Sequence, residues 1–133
     1  MTSEAAFLAQ VFLRHGHRPD LRIFRNATAL AYVGKLVIRA ATTMQYTLRP
    51  GDAVIRGCRP IQAGLAIGSA DIIGVQLDAS EWIGRFVSIE TKTEGGREAA
   101  QQAAWGDMVR TMGGLHVLAR TMDEVDAALG PPR

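Results

Sequence analysis

The chain has 133 residues, 47% of them apolar and 21% charged, and its net charge at pH 7 is +2. This composition is typical of one globular domain that can bury a core, and it excludes a disordered chain. No apolar run reaches the roughly 18 residues that a membrane helix needs, so we expect no membrane span. The single cysteine excludes an internal disulfide and a cysteine-based zinc site. No basic residue precedes the first apolar stretch, as a secretory signal would require, so we expect a cytoplasmic protein.

The charge is unevenly distributed along the chain. Residues 5–70 hold eight arginines and one lysine against two acids, whereas residues 71–133 hold six basic and ten acidic residues. An anionic partner of the first half would explain this asymmetry, and so would arginines that only solvate strand faces.

The first predicted element is a helix over residues 3–15. Ser3 can cap its first turn, apolar residues recur at helical spacing, and Gly16 can end it. Alternating and β-branched residues between turn signals then predict four short strands, at residues 21–25, 35–40, 45–48 and 54–56.

The second half predicts a hairpin followed by a helix, a strand and a helix. Two strands, 72–77 and 85–93, flank a turn at 78–84 and form the hairpin. The last three elements are a helix at 97–112, a strand at 115–119 and a helix that opens with the Thr121/Glu124 capping box and ends at Leu129. This order predicts a single α/β domain in which a central mixed sheet is flanked by helices.

One strand of the predicted hairpin carries a candidate catalytic group. Residues two apart share a face of a strand, so Ser88, Glu90 and Lys92 point one way while Val87, Ile89 and Thr91 point into the core. Asp71 begins the neighbouring strand, and its carboxylate can approach that of Glu90 across the pair. Two convergent carboxylates suit Mg²⁺, which can activate water against a phosphodiester beside a lysine. The same E-x-K triplet is also common as an ordinary surface ion pair.

Four segments in this order resemble the virus-type replication-repair nuclease (VRR-NUC) domains of the PD-(D/E)xK superfamily. Residues 68–74 are similar to the G-S-x-D-x-I-G segment of that family, and residues 89–92 to its I-E-x-K strand. Residues 96–102 resemble its G-R-x-x-x-x-Q helix start, and Gly113-Gly114 with the following strand resembles its closing segment. The similarity covers residues 64–129, about half of the chain.

The resemblance implies a PD-(D/E)xK fold and hydrolysis of DNA with Mg²⁺ or Mn²⁺. Asp71 and Glu90 would be metal ligands, together with the backbone carbonyl of Ile89. Lys92 would be the catalytic lysine, and Gln102 would contact metal-bound water or phosphate.

The resemblance extends more loosely to residues outside this core. Glu4 would support the metal through a water, although an acid in the first turn of a helix is also favoured by the helix dipole. DNA contacts are expected from Arg25 and Asn26, which resemble an R-N pair of phage members, and from Ser69 and Arg97. A solvated strand end would explain Arg25 and Asn26 equally.

Two features depart from the family pattern. Ala70 stands where many members have proline before the aspartate. The segment 35–60 is longer than in minimal members and reads as an inserted basic hairpin, with Lys35, Arg39, Arg49, Arg56 and Arg59. Such a hairpin could bind DNA or form a dimer interface, or be a sheet edge that arginines keep soluble.

The implied protein is a structure-specific endonuclease similar to Holliday-junction resolvases, in a bacterial or phage-infected cell. Homodimerisation would suit a branched substrate, because two symmetric cuts need two sites. No nucleotide cofactor is expected, since the G-x-x-x-x-G-K-[ST] pattern is missing. The alternatives are a catalytically silent DNA-binding module of the same fold and a structural protein of a mobile element.

For three further residues, structural roles are the better prediction. Trp105 lies mid-helix and is expected to pack in the core, Trp82 lies in a turn, and His116 lies in a strand without metal-ligand spacing.

Overall fold

The computed structural model describes residues 3–37, 47 and 49–132. The elements in chain order are α1 (Glu4–His15), β1 (Leu21–Arg25), β2 (Ala29–Val37), β3 (Val54–Ala63), β4 (Ile72–Asp78), β5 (Ile83–Thr91), α2 (Ala100–Thr111), β6 (Leu115–Ala119) and α3 (Met122–Leu129). They form two compact units: the first comprises the described residues up to Thr28 and from Gly64 onward, and the second is Ala29–Ala63. Of the predicted strands 35–40 and 45–48, residues 38–40, 45–46 and 48 lie outside the described part of the chain.

The first unit is built on a four-stranded sheet in the order β1-β4-β5-β6. Its first three strands are antiparallel, and β6 runs parallel to β5 because α2 crosses over between them. The predicted hairpin, β4–β5, is confirmed. A mixed sheet flanked by helices is therefore the fold class at this level, as the sequence predicted.

The core of the first unit lies between the sheet and the helices α1 and α3. Its fully buried members come from α1, β1, β4, β5, β6 and α3, and include Val11, Leu21, Ile72, Ile89 and Val125. Ile89 has no exposed surface, as expected for the inward face of β5. The opposite face of β5 is also covered, because α2 packs over it: Ser88 and Glu90 are 0% and 1% exposed.

The predicted helix caps are confirmed, and one boundary is wrong. Ser3 accepts from the N–H of Ala6 at 3.2 Å, and Thr121 and Glu124 form the reciprocal box. Helix α2 begins at Ala100 rather than at residue 97, since Ala99 still has extended backbone with ψ 153°. The stretch ahead of Ala99 is therefore a loop that leads into the helix.

The second unit is an antiparallel hairpin of β2 and β3. Both strands are longer than predicted: β2 starts at Ala29, and β3 continues to Ala63 instead of stopping at residue 56. Pro60 lies within β3, which a two-stranded sheet tolerates because each strand has an unpaired edge.

No helix in the described part of the chain is long and apolar enough to span a membrane.

Candidate active site

The loop that leads into β4 is fixed by the start of α2. Gly68 has φ of 86°, and a Cβ atom there would lie 2.6 Å from the carbonyl oxygen of Gln101. Only glycine meets both conditions, because other residues disfavour this backbone conformation and none lacks the Cβ. The loop and the first turn of α2 therefore lie in direct contact.

Asn26 ties the same loop to the end of β1. Its Nδ2 donates to Ser69 Oγ at 2.7 Å and to the Ala70 carbonyl at 2.8 Å, and its Oδ1 accepts from Leu65 N at 3.1 Å. Its backbone N–H donates to the carbonyl of Asp71 at 2.7 Å. The side-chain amide of Asn26 thus holds the loop, and its backbone N–H holds Asp71 ahead of β4.

Asp71 lies close to Glu90 at the end of the two central strands, and its charge acts on that residue. The register pairs Ile72 with Ile89, so the next position places Asp71 opposite Glu90. The Oδ2 atom of Asp71 accepts from the backbone N–H of Thr91 at 3.0 Å and from its hydroxyl at 2.8 Å. In the described part of the chain, the hydrogen bonds to the Asp71 carboxylate are both made to Oδ2 and none is made to Oδ1.

Glu90 is a buried carboxylate with one satisfied oxygen. Its Oε1 lies 2.9 Å from Lys92 Nζ and also accepts from Gln102 Nε2. Gln102 Oε1 accepts from the N–H of Ala99 at 2.9 Å, which fixes the amide so that its nitrogen faces Glu90. Among the described residues, Glu90 Oε2 is buried and has no hydrogen-bond partner.

Burial and neighbouring charges shift the pKa values of Glu90 and Lys92. Burial raises the pKa of Glu90; the hydrogen bond from Lys92 opposes this, and the negative charge of Asp71 adds to it. Burial lowers the pKa of Lys92, but the hydrogen bond and charge of Glu90, with Glu4 and Asp71, outweigh it and raise that pKa. Lys92 is therefore an ammonium group throughout the neutral range.

Lys92 also lines a cavity of about 280 Å³ between α1 and the loop after β5. Glu4 and Arg120 lie on the wall of the same cavity. Glu4 is exposed on α1 and acts on the site through its charge on Lys92. Glu94 also lines the cavity, so its wall carries two basic and two acidic side chains.

The two carboxylates fit a hydrated divalent cation rather than a closed metal cage. Within the described ranges, no three His, Cys, Asp or Glu side chains cluster as a cation site. Mg²⁺ in phosphodiester enzymes uses one or two carboxylates and keeps several waters, and Asp71 and Glu90 each offer one free oxygen. The unpartnered Oε2 of Glu90 is the atom that such an ion would satisfy.

The Ile89 carbonyl, predicted as a backbone metal ligand, lies within the sheet. Ile89 lies opposite Ile72 inside the β4–β5 ladder. Since the N–H of Thr91 points to Asp71, and residues two apart point the same way, the Ile89 carbonyl faces β4 and is occupied there. The Thr91 carbonyl also points toward the β4 side of β5, but it lies beyond the Ile72–Ile89 pair that ends the β4–β5 ladder.

The predicted DNA-contacting residues divide into buried and exposed ones. Asn26 and Ser69 are 7% and 5% exposed and bond within the loop, which suits positioning Asp71 better than touching DNA. Arg25 and Arg97 are exposed in the first unit, and Arg56 is exposed in the second. Lys35 lies in β2, and Arg39 lies outside the described residues.

The sequence pattern did not predict two sets of contacts at the site. Thr91 was assigned to the core face, yet its hydroxyl and N–H hold Asp71. Beneath α2, Trp105 Nε1 donates to Ser88 Oγ at 2.8 Å, and that oxygen lies 3.0 Å from His116 Nδ1. His116 thus has the structural role expected of it. Trp105 was expected to pack in the core, but it is half-buried and is held by its hydrogen bond to Ser88, a link that depends on the register of three elements.

No family model matches this chain, and no curated protein or solved structure was found to be similar to it. The similarity of its motifs to VRR-NUC domains stays a prediction.

Proposed function

We propose that this chain is a metal-dependent nuclease that hydrolyses phosphodiester bonds in DNA. The observation that carries the proposal is a pair of neighbouring carboxylates beside a lysine: Asp71 lies one residue beyond the Ile72–Ile89 pair, burial and the charge of Asp71 raise the pKa of Glu90, and Lys92 Nζ lies 2.9 Å from Glu90. Leaving a buried polar atom such as Glu90 Oε2 unpaired costs about 1–3 kcal/mol. A divalent cation bound by the two carboxylates would remove that cost.

The residues of the site have separate roles in this proposal. Asp71 and Glu90 would hold Mg²⁺ or Mn²⁺. Such an ion would polarise the phosphate and lower the pKa of a water molecule bound to it. Lys92 brings a positive charge to the phosphate oxygens, where negative charge builds in the transition state. Gln102 holds the carboxylate of Glu90, and Thr91 holds that of Asp71.

A cleavage assay with labelled DNA tests the proposal. Single strands, duplexes, flaps and four-way junctions are incubated with Mg²⁺, Mn²⁺ or EDTA. We expect cleavage that requires metal and falls by roughly 100-fold or more in Lys92→Met and Asp71→Asn. Glu98→Gln, an exposed acid in the loop before α2, is the matched control and should cut normally.

Metal binding separates the alternatives. Calorimetric titration with Mn²⁺ should show binding to the wild type and to Lys92→Met, and much weaker binding to Asp71→Asn. DNA binding without cleavage of any substrate would favour the silent binding module. Absence of Mn²⁺ binding by the folded wild type would refute the proposed site.

The preferred substrate and the oligomer belong to the same proposal. The family resemblance suggests a homodimer that acts on branched DNA, as Holliday-junction resolvases do. Preferred cleavage of the four-way junction, with light scattering that gives twice the mass of the chain, is the expected result. A monomer that cuts plain duplex equally well would support the nuclease proposal and refute the proposed resolvase activity.

A further inference from the structure

Two arginines of β3 share one face of the hairpin because of a β-bulge. Arg56 and Arg59 are three positions apart, and a regular strand would point them to opposite faces. The register pairs Arg56 with Lys35 and Arg59 with Val33, so two steps along β2 match three steps along β3. One residue of β3 is therefore extra, and it returns Arg59 to the face of Arg56.

Glycines on both strands make this bulge feasible. Gly57 has φ of 59°, the left-handed conformation that glycine adopts at the first position of such bulges. On the facing strand, a Cβ atom on Gly34 would lie 2.5 Å from Ile55 Cγ2 and 3.0 Å from Cys58 Cα. The local sequence therefore specifies the bulge rather than merely tolerating it.

Exposed apolar residues lie on both faces of the hairpin, and the two arginines lie on one of them. Leu30, Tyr32 and Ile55 lie on the face opposite the arginines and are 62%, 55% and 37% exposed. Val33 and Ile61 share the face of the arginines and are 44% and 37% exposed. Arg56 and Arg59 are exposed, and in the described part of the chain neither has an ion-pair partner. The segment from 29 to 63 holds five basic residues against one acid, Asp52. The segment therefore has a formal net charge of +4.

We propose that the face bearing Arg56 and Arg59 binds the phosphate backbone of duplex DNA. Adjacent phosphates of a duplex form a dense row of anions, and arginine guanidinium groups bind phosphate with paired hydrogen bonds. A two-stranded ribbon has the width that the major groove admits. The inference rests on the proposed function for its ligand, and it adds a surface that holds the substrate outside the candidate active site.

The salt dependence of binding tests this surface independently of cleavage. Affinity for a short labelled duplex is measured in EDTA over a series of salt concentrations, for the wild type and for Arg56→Ala/Arg59→Ala. We expect the double variant to bind roughly tenfold more weakly at low salt and to reduce the slope of log affinity against log salt by about 2. Arg85→Ala/Arg110→Ala removes the same charge from exposed positions that have acidic partners, and it should change neither value.

A second pair of variants tests the geometry. Gly57→Val opposes the left-handed backbone and should weaken binding as much as the loss of the arginines. Removal of Cys58 from that variant should restore binding, because the arginines are then two positions apart on a regular strand. Gly51→Ala, at another positive-φ glycine of the unit, controls for general damage to the hairpin.

The outcomes of these measurements are distinct. An unchanged salt slope in Arg56→Ala/Arg59→Ala, or normal binding by Gly57→Val, would overturn the inference. Binding of the wild type to anionic vesicles, but not to duplex DNA, would replace DNA with a membrane surface as the partner. Failure of the proposed nuclease function alone would give a different result: DNA binding that still depends on the arginines, without cleavage.

Discussion

The residue that most directly controls Asp71 is Thr91. Its hydroxyl and its backbone N–H both donate to Asp71 Oδ2, at 2.8 and 3.0 Å. Thr91→Val keeps the shape and the N–H but removes the hydroxyl. We expect the variant to fold, to lose about 1.5–3 kcal/mol of unfolding free energy for a bond to a charged group, and to bind Mn²⁺ several-fold more weakly. Chemical denaturation and calorimetry measure the two effects.

Thr93→Val is the control for this prediction. Thr93 lies two residues further along and is partly exposed, and none of the hydrogen bonds to Asp71 involves it. If both variants lost the same Mn²⁺ affinity, the effect would come from general damage near the strand end. Equal affinity of Thr91→Val and the wild type would mean that the backbone N–H alone positions Asp71.

At this scale the sequence predicted which acids lie near each other, but not what holds them. Alternation along β5 and an aspartate at the start of β4 are local patterns, so Asp71, Glu90 and Lys92 could be found in advance. The bonds from Thr91 and Asn26 depend on register and on loop closure between distant segments. Asn26 and Ser69 were accordingly predicted to contact DNA, whereas their side chains organise the loop.

The packing of α2 on the sheet predicts a pH dependence. Burial, assisted by the charge of Arg110 and opposed by Asp107, lowers the pKa of His116 from 6.5 to about 4. As the pH falls below 6.5, His116 takes up a proton in the unfolded chain but not in the folded one. The folded state therefore loses stability between pH 6.5 and about 4, by about 3 kcal/mol, and the loss stops below that window.

His116→Gln isolates this contribution, because glutamine can accept from Ser88 and does not titrate. Urea unfolding at several pH values should show the wild type losing stability relative to the variant across that window. His15, whose pKa burial also lowers, is present in both proteins and cancels in the difference. Parallel curves for the two proteins would show that His116 is protonated in the folded state as readily as in the unfolded chain.

Elements were predicted well where a single strong signal defines them. β1 and β6 have the predicted limits, and α3 opens at the predicted capping box. The limits of β2 and β3 were missed because the exposed hairpin has apolar residues on both faces, so no burial pattern marks its ends. The start of α2 was placed too early because Arg97 and Glu98 favour a helix, yet Ala99 remains extended beside the site.

Two properties of the whole molecule suggest that the hairpin is an insertion in a self-sufficient unit. The chain leaves the first unit at Thr28 and re-enters it at Gly64. A Cβ atom on Gly64 would lie 2.7 Å from Thr28 Cγ2 and 3.0 Å from Thr28 Cα, so the two ends are in contact. Removing residues 29–63 and joining the ends with two glycines therefore requires no change in the sheet, and it lowers the entropic cost of closing the loop.

We expect this shortened protein to unfold in one cooperative transition, no less stable than the full chain, and to bind Mn²⁺ with unchanged affinity. Its affinity for duplex DNA should fall at least as far as that of Arg56→Ala/Arg59→Ala, because it lacks the same basic face. A variant whose hairpin is replaced by a glycine-serine linker of equal length separates the loss of the face from the shortening of the loop. Loss of cooperative unfolding in both variants would mean that the hairpin contributes to the core. Retained DNA affinity in both would assign binding to the first unit, where Arg25 and Arg97 are exposed.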